Sequence, residues 1–78
     1  MELKMPKFGA AMESGVVARW LKQEGESFTE GEELCEIEAE KLTNNLEARY
    51  DGTLDKILVQ EGEEADVGTP IALVTRKD

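Results

Sequence analysis

The stretch ESGVVARWLKQEGESFTEGEELCEIE, residues 13–38, recurs further along the chain. It aligns without a gap on YDGTLDKILVQEGEEADVGTPIALVT, residues 50–75, at an offset of 37 residues. Two copies are too few for a solenoid, so the repeat predicts one domain with pseudo-two-fold symmetry. A glycine that recurs in register indicates a tight bend or a left-handed backbone position. Six of the seven glycines do so, as the pairs Gly15–Gly52, Gly25–Gly62 and Gly31–Gly68.

The second copy indicates which secondary structure the repeat adopts. Residues 69–75 carry a proline and the strand formers Ile, Val and Thr, over a length typical of one strand. Their counterpart, residues 32–38, should therefore be a strand as well. The alternative is a helix over residues 32–50, supported by a capping-box match at Thr29 and Glu32 and by apolar residues at helical spacing.

Short strands separated by glycine turns account for the rest of the repeat. Each half supplies about four strands, opened by LKMP at residues 3–6 and by TNNLEA at residues 43–48. This pattern predicts an all-β fold, a small antiparallel sandwich or flattened barrel. The offset of 37 also aligns Lys4-Met5 with Lys41-Leu42. Lys41 is then predicted at the tip of a hairpin that joins the two halves.

The composition limits the classes of function. A chain of 78 residues is enough for one domain, residues 1–78, but too small for a large catalytic cleft. The 18 acidic and 9 basic residues give a net charge of −9. This charge argues against nucleic acids and membranes as partners, because both attract basic surfaces. The chain has no histidine, and so lacks the commonest side chain for acid–base and metal chemistry.

The cysteine content and the hydropathy pattern bear on location. The single cysteine, Cys35, has no partner for an internal disulfide and is predicted to be a small buried hydrophobe. No apolar run reaches about 18 residues, and the first residues lack the apolar core of a signal peptide. We therefore expect a cytoplasmic protein.

The predicted position of Lys41 differs from that of an ordinary surface lysine. Most exposed lysines on turns are only solvated charges. Lys41 lies in the connection between two symmetric halves, where rigid strands present it to solvent. Such a position suits a group that another protein must grasp, and it does not suit a catalytic lysine that needs burial to lower its pKa.

Motifs between residues 3 and 75 carry a resemblance to a known family. Residues 5–41 contain M-P-K, a glycine, M-x-x-G, W-x-K-x-E-G, G-x-x-L-x-E-I-E and a lysine, and LEARYDGTL and EGEEADVGTPIALV match the second half of the pattern. In these motifs the chain resembles a lipoyl domain of the biotinyl/lipoyl attachment family, found in the dihydrolipoamide acyltransferase component of 2-oxo-acid dehydrogenase complexes. The resemblance implies two four-stranded antiparallel sheets and lipoic acid in amide linkage to Lys41.

The same resemblance implies a carrier that is not itself an enzyme. A lipoate ligase or lipoyl transferase would attach the group. A thiamine-diphosphate-dependent decarboxylase would transfer an acyl group to its dithiolane, and an acyltransferase core would pass that group to coenzyme A. A flavin-dependent dihydrolipoyl dehydrogenase would reoxidise the dithiol. The M-P-K-x-G-x-x-M motif is closer to the pyruvate and acetoin types than to the 2-oxoglutarate type.

The residues that flank the lysine bear on the choice of attached group. Biotinyl domains share the fold and the hairpin lysine, but their tip sequence is typically Met-Lys-Met. Lipoyl domains prefer Asp-Lys followed by a small apolar residue, so Glu40 and Leu42 both depart from that preference. Two alternatives to the lipoyl carrier are a biotin carrier domain of a carboxylase or decarboxylase and an unmodified structural barrel.

The segment FGAAMES, residues 8–14, would lie beside the tip in the family fold and help partners to recognise the domain. The alternative is an ordinary connection between strands. Gly9 is the one glycine without a counterpart in the second copy. This departure from the symmetry of the repeat favours a functional role for the segment over an ordinary connection. The candidate recognition residues are Phe8, Gly9, Ala10, Ala11, Met12 and Glu13.

Overall fold

Eight short strands form two four-stranded antiparallel sheets in the computed structural model, which describes residues 1–77. The strands are β1 (Glu2–Lys4), β2 (Ser14–Trp20), β3 (Ser27–Phe28), β4 (Glu33–Ala39), β5 (Leu42–Glu47), β6 (Gly52–Ile57), β7 (Glu64–Asp66) and β8 (Pro70–Arg76). The strand orders are β1-β8-β6-β3 and β5-β4-β2-β7. The predicted all-β fold is confirmed. The alternative helix over residues 32–50 is wrong, because that range contains β4, a turn and β5. Asp78, the last residue of the predicted domain, lies outside the described residues.

The two sheets are related by the repeat. An offset of 37 residues carries β2, β3 and β4 onto β6, β7 and β8, so the strand order of one sheet reproduces that of the other. The glycine pairs at the turns repeat the same backbone conformation. Gly25 and Gly62 have φ of 91° and 88°, and Gly31 and Gly68 have φ of 91° and 89°. These positions are left-handed, as the recurrence of glycine predicts.

The first strand of each half follows a different offset. Leu3 of β1 and Leu46 of β5 occupy equivalent positions, 43 residues apart. Equivalent residues face them across the ladder, Ala72 in β8 and Cys35 in β4. The predicted alignment of Lys4-Met5 with Lys41-Leu42 is therefore wrong by six residues. The first half has six more residues than the second between its first two strands, and they belong to the connection from β1 to β2.

The core lies between the sheets. Alternate side chains of the long strands point inward, as expected for strands with one buried face. The largest fully buried side chains are Met5, Leu34, Ile37, Leu54, Ile71, Val17, Val74 and Cys35. Trp20 is half-buried, and its indole N–H donates a hydrogen bond to the carbonyl of Val59 at 2.9 Å. Within residues 1–77, no helix is long and apolar enough to cross a membrane.

Candidate functional site

A two-residue turn joins β4 to β5. Ala39 and Leu42 are paired across the ladder, and Glu40 and Lys41 form the turn between them. Both turn residues have positive φ, 52° for Glu40 and 68° for Lys41. Two consecutive left-handed residues define a type I′ turn, whose twist matches that of the flanking strands. The predicted position of Lys41 at the tip of the hairpin between the two halves is confirmed.

The hairpin is anchored at its base and open at its tip. Ala39 is 7% exposed and belongs to the same buried cluster as Met12 and Ile37. Lys41 is exposed. Among residues 1–77, its side chain forms neither an ion pair nor a hydrogen bond. The amine is therefore accessible to a modifying enzyme while the backbone that carries it is fixed.

Carboxylates surround the base of this lysine. A concave surface beside Lys41 is lined by Glu13 before β2, by Glu38 and Glu40 of the β4–β5 hairpin, and by Glu64 of β7. The hydroxyl of Ser14 donates a hydrogen bond to Oε2 of Glu64 at 2.9 Å. The negative charge of the chain is thus present around the amine.

The connection from β1 to β2 packs against the other side of the tip. The backbone N–H of Phe8 donates to Sδ of Met12 at 3.3 Å, and the N–H of Met12 donates to the carbonyl of Gly9 at 3.1 Å. These contacts close the loop over the end of the barrel. A notch of about 90 Å³ separates the loop from the hairpin residues Glu40 and Leu42. The predicted placement of the segment beside the tip is confirmed.

The six candidate recognition residues differ in what they present. Phe8, Gly9 and Met12 line the notch, whereas Ala11 and Glu13 line the concave surface that contains Lys41. Ala10 is exposed and lines neither. Met12 is the exception in burial, at 4% exposed. Its side chain supports the loop from within the core and offers little surface to a partner.

Two carboxylates beside the tip, Glu38 and Glu64, were not singled out individually from the sequence. Alternation along β4 could have placed the exposed Glu38 on the outer face of its sheet. Glu64 lies beside it only because β7 pairs with β2, where Val16 is opposite both Glu38 and Glu64. That neighbourhood depends on long-range pairing, for which local sequence gives no signal.

The one thiol of the chain is unsuited to act as a reactive group. Cys35 is 0% exposed, and burial raises the pKa of its thiol to about 12. Since the thiolate is the nucleophilic form, Cys35 is a packing residue. The prediction that it is a small buried hydrophobe is confirmed.

Comparison with known proteins identifies the family. The Biotin_lipoyl family model, described as "Biotin-requiring enzyme", matches residues 1–74. The chain is 41% identical over 78 residues to "Dihydrolipoyllysine-residue acetyltransferase component 2 of pyruvate dehydrogenase complex, mitochondrial" of Arabidopsis thaliana, covering 99% of this chain and 14% of that protein. It is 40% identical over 74 residues to "Dihydrolipoyllysine-residue acetyltransferase component of acetoin cleaving system" of Bacillus subtilis, covering 95% of this chain and 19% of that protein.

A solved structure extends the likeness to three dimensions. The solution structure of the lipoyl domain of the 2-oxoglutarate dehydrogenase complex from Azotobacter vinelandii matches with a TM-score of 0.82 and 28% identity, over 100% of this chain and 99% of that one. The chain spans less than a fifth of the length of the two curated relatives above. The resemblance found in the motifs is confirmed, and the chain belongs to the biotinyl/lipoyl domain family.

Proposed function

We propose that residues 1–78 are a swinging-arm carrier domain in which Nζ of Lys41 holds lipoic acid in amide linkage. One observation carries the proposal. Lys41 is exposed in a two-residue turn between two long strands, at the position to which the resemblance to lipoyl domains assigns the attachment lysine. The relatives whose names contain "dihydrolipoyllysine-residue" favour lipoic acid as the attached group.

The residues present fit such a group. The amine has no competing partner among residues 1–77, so amide formation would disrupt no existing contact. The buried Ala39 fixes the root of the arm, while the exposed tip leaves the arm free to extend. Bound lipoic acid supplies a dithiolane that carries acyl groups and electrons. The chain itself supplies a fixed origin, a direction and a surface for recognition.

The carboxylates beside the lysine give this surface its charge. Glu13, Glu38, Glu40 and Glu64 lie around the root of the arm. A partner with a basic rim around its active site would be steered toward the arm by long-range attraction, and salt would weaken this attraction. Amide formation removes the positive charge of Lys41, which makes the same surface more negative.

The proposed partners follow from the relatives. Homologues belong to pyruvate dehydrogenase complexes and acetoin-cleaving systems. In this chain we propose that a thiamine-dependent decarboxylase, an acyltransferase core and a flavin-dependent dihydrolipoyl dehydrogenase visit the arm in turn, after a lipoate ligase or lipoyl transferase has attached it. The exposed loop residues Phe8, Gly9 and Ala11 would contribute to recognition by these partners.

Biotin is the alternative group, since the family model is described by biotin-requiring enzymes. The exposed residues Glu40 and Leu42 flank the amine on both sides, so both would touch an enzyme that modifies it. Biotinyl domains are expected to have methionine at both of these positions. This chain has methionine at neither, and the difference favours lipoate.

The test is the intact mass of the unmodified protein after incubation with ATP and either lipoate plus a lipoate ligase or biotin plus a biotin ligase. We expect one lipoyl group per chain and no biotin. Lys41→Arg should remain folded and gain nothing. A gain of biotin alone would show a biotin carrier. No gain from either enzyme, when a known lipoyl domain is modified in parallel, would favour an unmodified barrel.

A further inference from the structure

Strand β5 has an outer edge without a partner strand among the described residues. It ends the order β5-β4-β2-β7. Because Ala39 and Leu42 close the turn, alternate residues from Leu42 onward bond to β4. The backbone N–H and C=O groups of Thr43, Asn45 and Glu47 point the other way. Within residues 1–77, no backbone hydrogen bond from outside the sheet reaches them.

This edge differs from the other three edges of the fold. β5 has six residues, whereas the edge strands β1, β3 and β7 have three, two and three. Edge strands are usually protected by short length, proline or lysine. Residues 42–47 contain neither proline nor lysine. β5 is therefore the edge at which an added strand would find most backbone groups.

A groove runs along this edge. It begins at Asn45, is lined by residues 45–49, by residues 6–8 and by Glu30 and Gly31, and encloses about 470 Å³. An adjoining recess of about 170 Å³ shares Pro6 and Leu46 with the groove and has a mainly apolar lining that includes Phe28 and Leu34. Since a cavity of about 150 Å³ can hold benzene, the recess has room for one large apolar side chain.

The charge at this groove departs from that of the whole chain. Lys4, Lys7 and Arg49 line the groove and its recess, together with Glu30 and Glu47. Acidic residues outnumber basic ones by 18 to 9 in the chain, but basic residues outnumber acidic ones here. Among residues 1–77, none of the three basic side chains takes part in a salt bridge. Their charges are available to an acidic ligand.

We propose that this groove binds an extended acidic segment of a partner protein, which adds a strand to β5 and places one apolar side chain in the recess. Main-chain hydrogen bonds to Thr43, Asn45 and Glu47 supply affinity in this mode of recognition, and the pocket supplies specificity. A second copy of the chain fits less well, because it brings a net charge of −9. A short segment responds to the local basic side chains.

The test uses the unmodified domain, so it does not depend on the attachment at Lys41. The ¹⁵N-labelled protein is titrated with an acetylated heptapeptide that alternates Glu and Val around a central Leu. We expect saturable shifts at the amides of Thr43, Asn45 and Glu47, with slower amide exchange there. A central Ala in place of Leu should weaken binding by about tenfold or more, from the loss of a buried side chain.

Charge reversal at single residues tests whether the peptide binds in the groove or elsewhere on the surface. Arg49→Glu should weaken binding of the peptide by about fivefold, as expected for loss of an exposed ion pair and gain of repulsion. Lys56→Glu is the matched control, because Lys56 is exposed on β6 of the other sheet and the charge change is identical. Its affinity should equal that of wild type.

Three results would overturn the proposal. The first is no shift at the β5 amides with millimolar peptide. The second is equal binding by a peptide with Lys in place of Glu or Ala in place of Leu. The third is self-association of the free protein through β5 in sedimentation equilibrium, because it would assign the edge to a second copy.

Discussion

Glu40 and Lys41 occupy adjacent left-handed positions, with φ of 52° and 68°. They are the only non-glycine residues with positive φ in residues 1–77. A left-handed conformation costs an L-residue about 1–2 kcal/mol, and neither side chain is of the type that favours it. The flanking ladder pair Ala39–Leu42 and the burial of Ala39 hold the turn in place. The tip is thus a strained element with a fixed direction.

Glycine at position 40 should relieve part of this strain. We expect Glu40→Gly to stabilise the domain by up to about 1 kcal/mol, since relief of about 1–2 kcal/mol is offset by the entropy of glycine. Urea unfolding measures the change. Glu38→Gly is the control, because Glu38 lies in β4 with an ordinary extended backbone; it should destabilise by about 0.5–1 kcal/mol. Equal destabilisation by both variants would show that position 40 is not left-handed.

The repeat made most of the fold predictable. It placed the long strands correctly because β4 and β8 are related by its offset of 37, and it located the left-handed glycines at the turns. It failed for β1, because the six extra residues before β2 shift that strand out of register. The capping-box match is real as a local contact. The N–H and hydroxyl of Thr29 donate to Oε1 of Glu32, but in a turn and not in a helix.

The candidate site was predictable only in part. The place of Lys41 follows from the symmetry of the two halves. The type I′ geometry does not, because Glu-Lys lacks the Asn or Gly that marks such turns. Glu64 lines the surface beside the tip because β7 pairs with β2, a pairing between residues far apart in the chain.

Alanine should have different effects on stability at Gly52 and at Gly9. A Cβ at Gly52 would lie 2.5 Å from the carbonyl oxygen of Thr75 and 2.9 Å from Cζ of Phe28, whereas a Cβ at Gly9 would meet nothing within 4 Å. We expect Gly52→Ala to destabilise by about 1–3 kcal/mol, as overpacking does. Gly9→Ala should leave thermal unfolding unchanged. A stable Gly52→Ala protein would contradict the close approach of β6 to β8.

The pH dependence of stability should carry a contribution from Glu32. Its carboxylate accepts hydrogen bonds from Lys22 and Thr29, which lower its pKa from 4.5 to about 2. A lowered pKa stabilises the folded state above pH 4.5, and this contribution is lost as the pH falls toward 2. Glu32→Gln should therefore show a shallower loss of stability across this window in urea unfolding. Equal slopes for Glu32→Gln and wild type would contradict the assignment.

The number of alkylated thiols should distinguish the two sulfurs of the attached group from the thiol of Cys35. Because Cys35 is buried and its thiol has a pKa of about 12, the native unmodified protein should not react with iodoacetamide at pH 8. After lipoylation and reduction, the native protein should gain two alkylated sulfurs. Denaturation should add one more, from Cys35. Rapid alkylation of the unmodified native protein would show that Cys35 is not packed as described.

Residue-level mapping of the modification tests the role of Lys41 most directly. Wild type and the exchange variant Glu40→Lys with Lys41→Glu are incubated with lipoate ligase, lipoate and ATP, and modified peptides are quantified over time. The exchange keeps composition and charge, but it moves the amine by one residue and changes its direction. Since misplacement of about 1 Å can cost about 100-fold in rate, we predict lipoate on Lys41 alone in wild type and about 100-fold slower modification of the variant, with unchanged thermal unfolding. Lipoate on Lys56 or Lys77, or equal rates for the two proteins, would contradict the account.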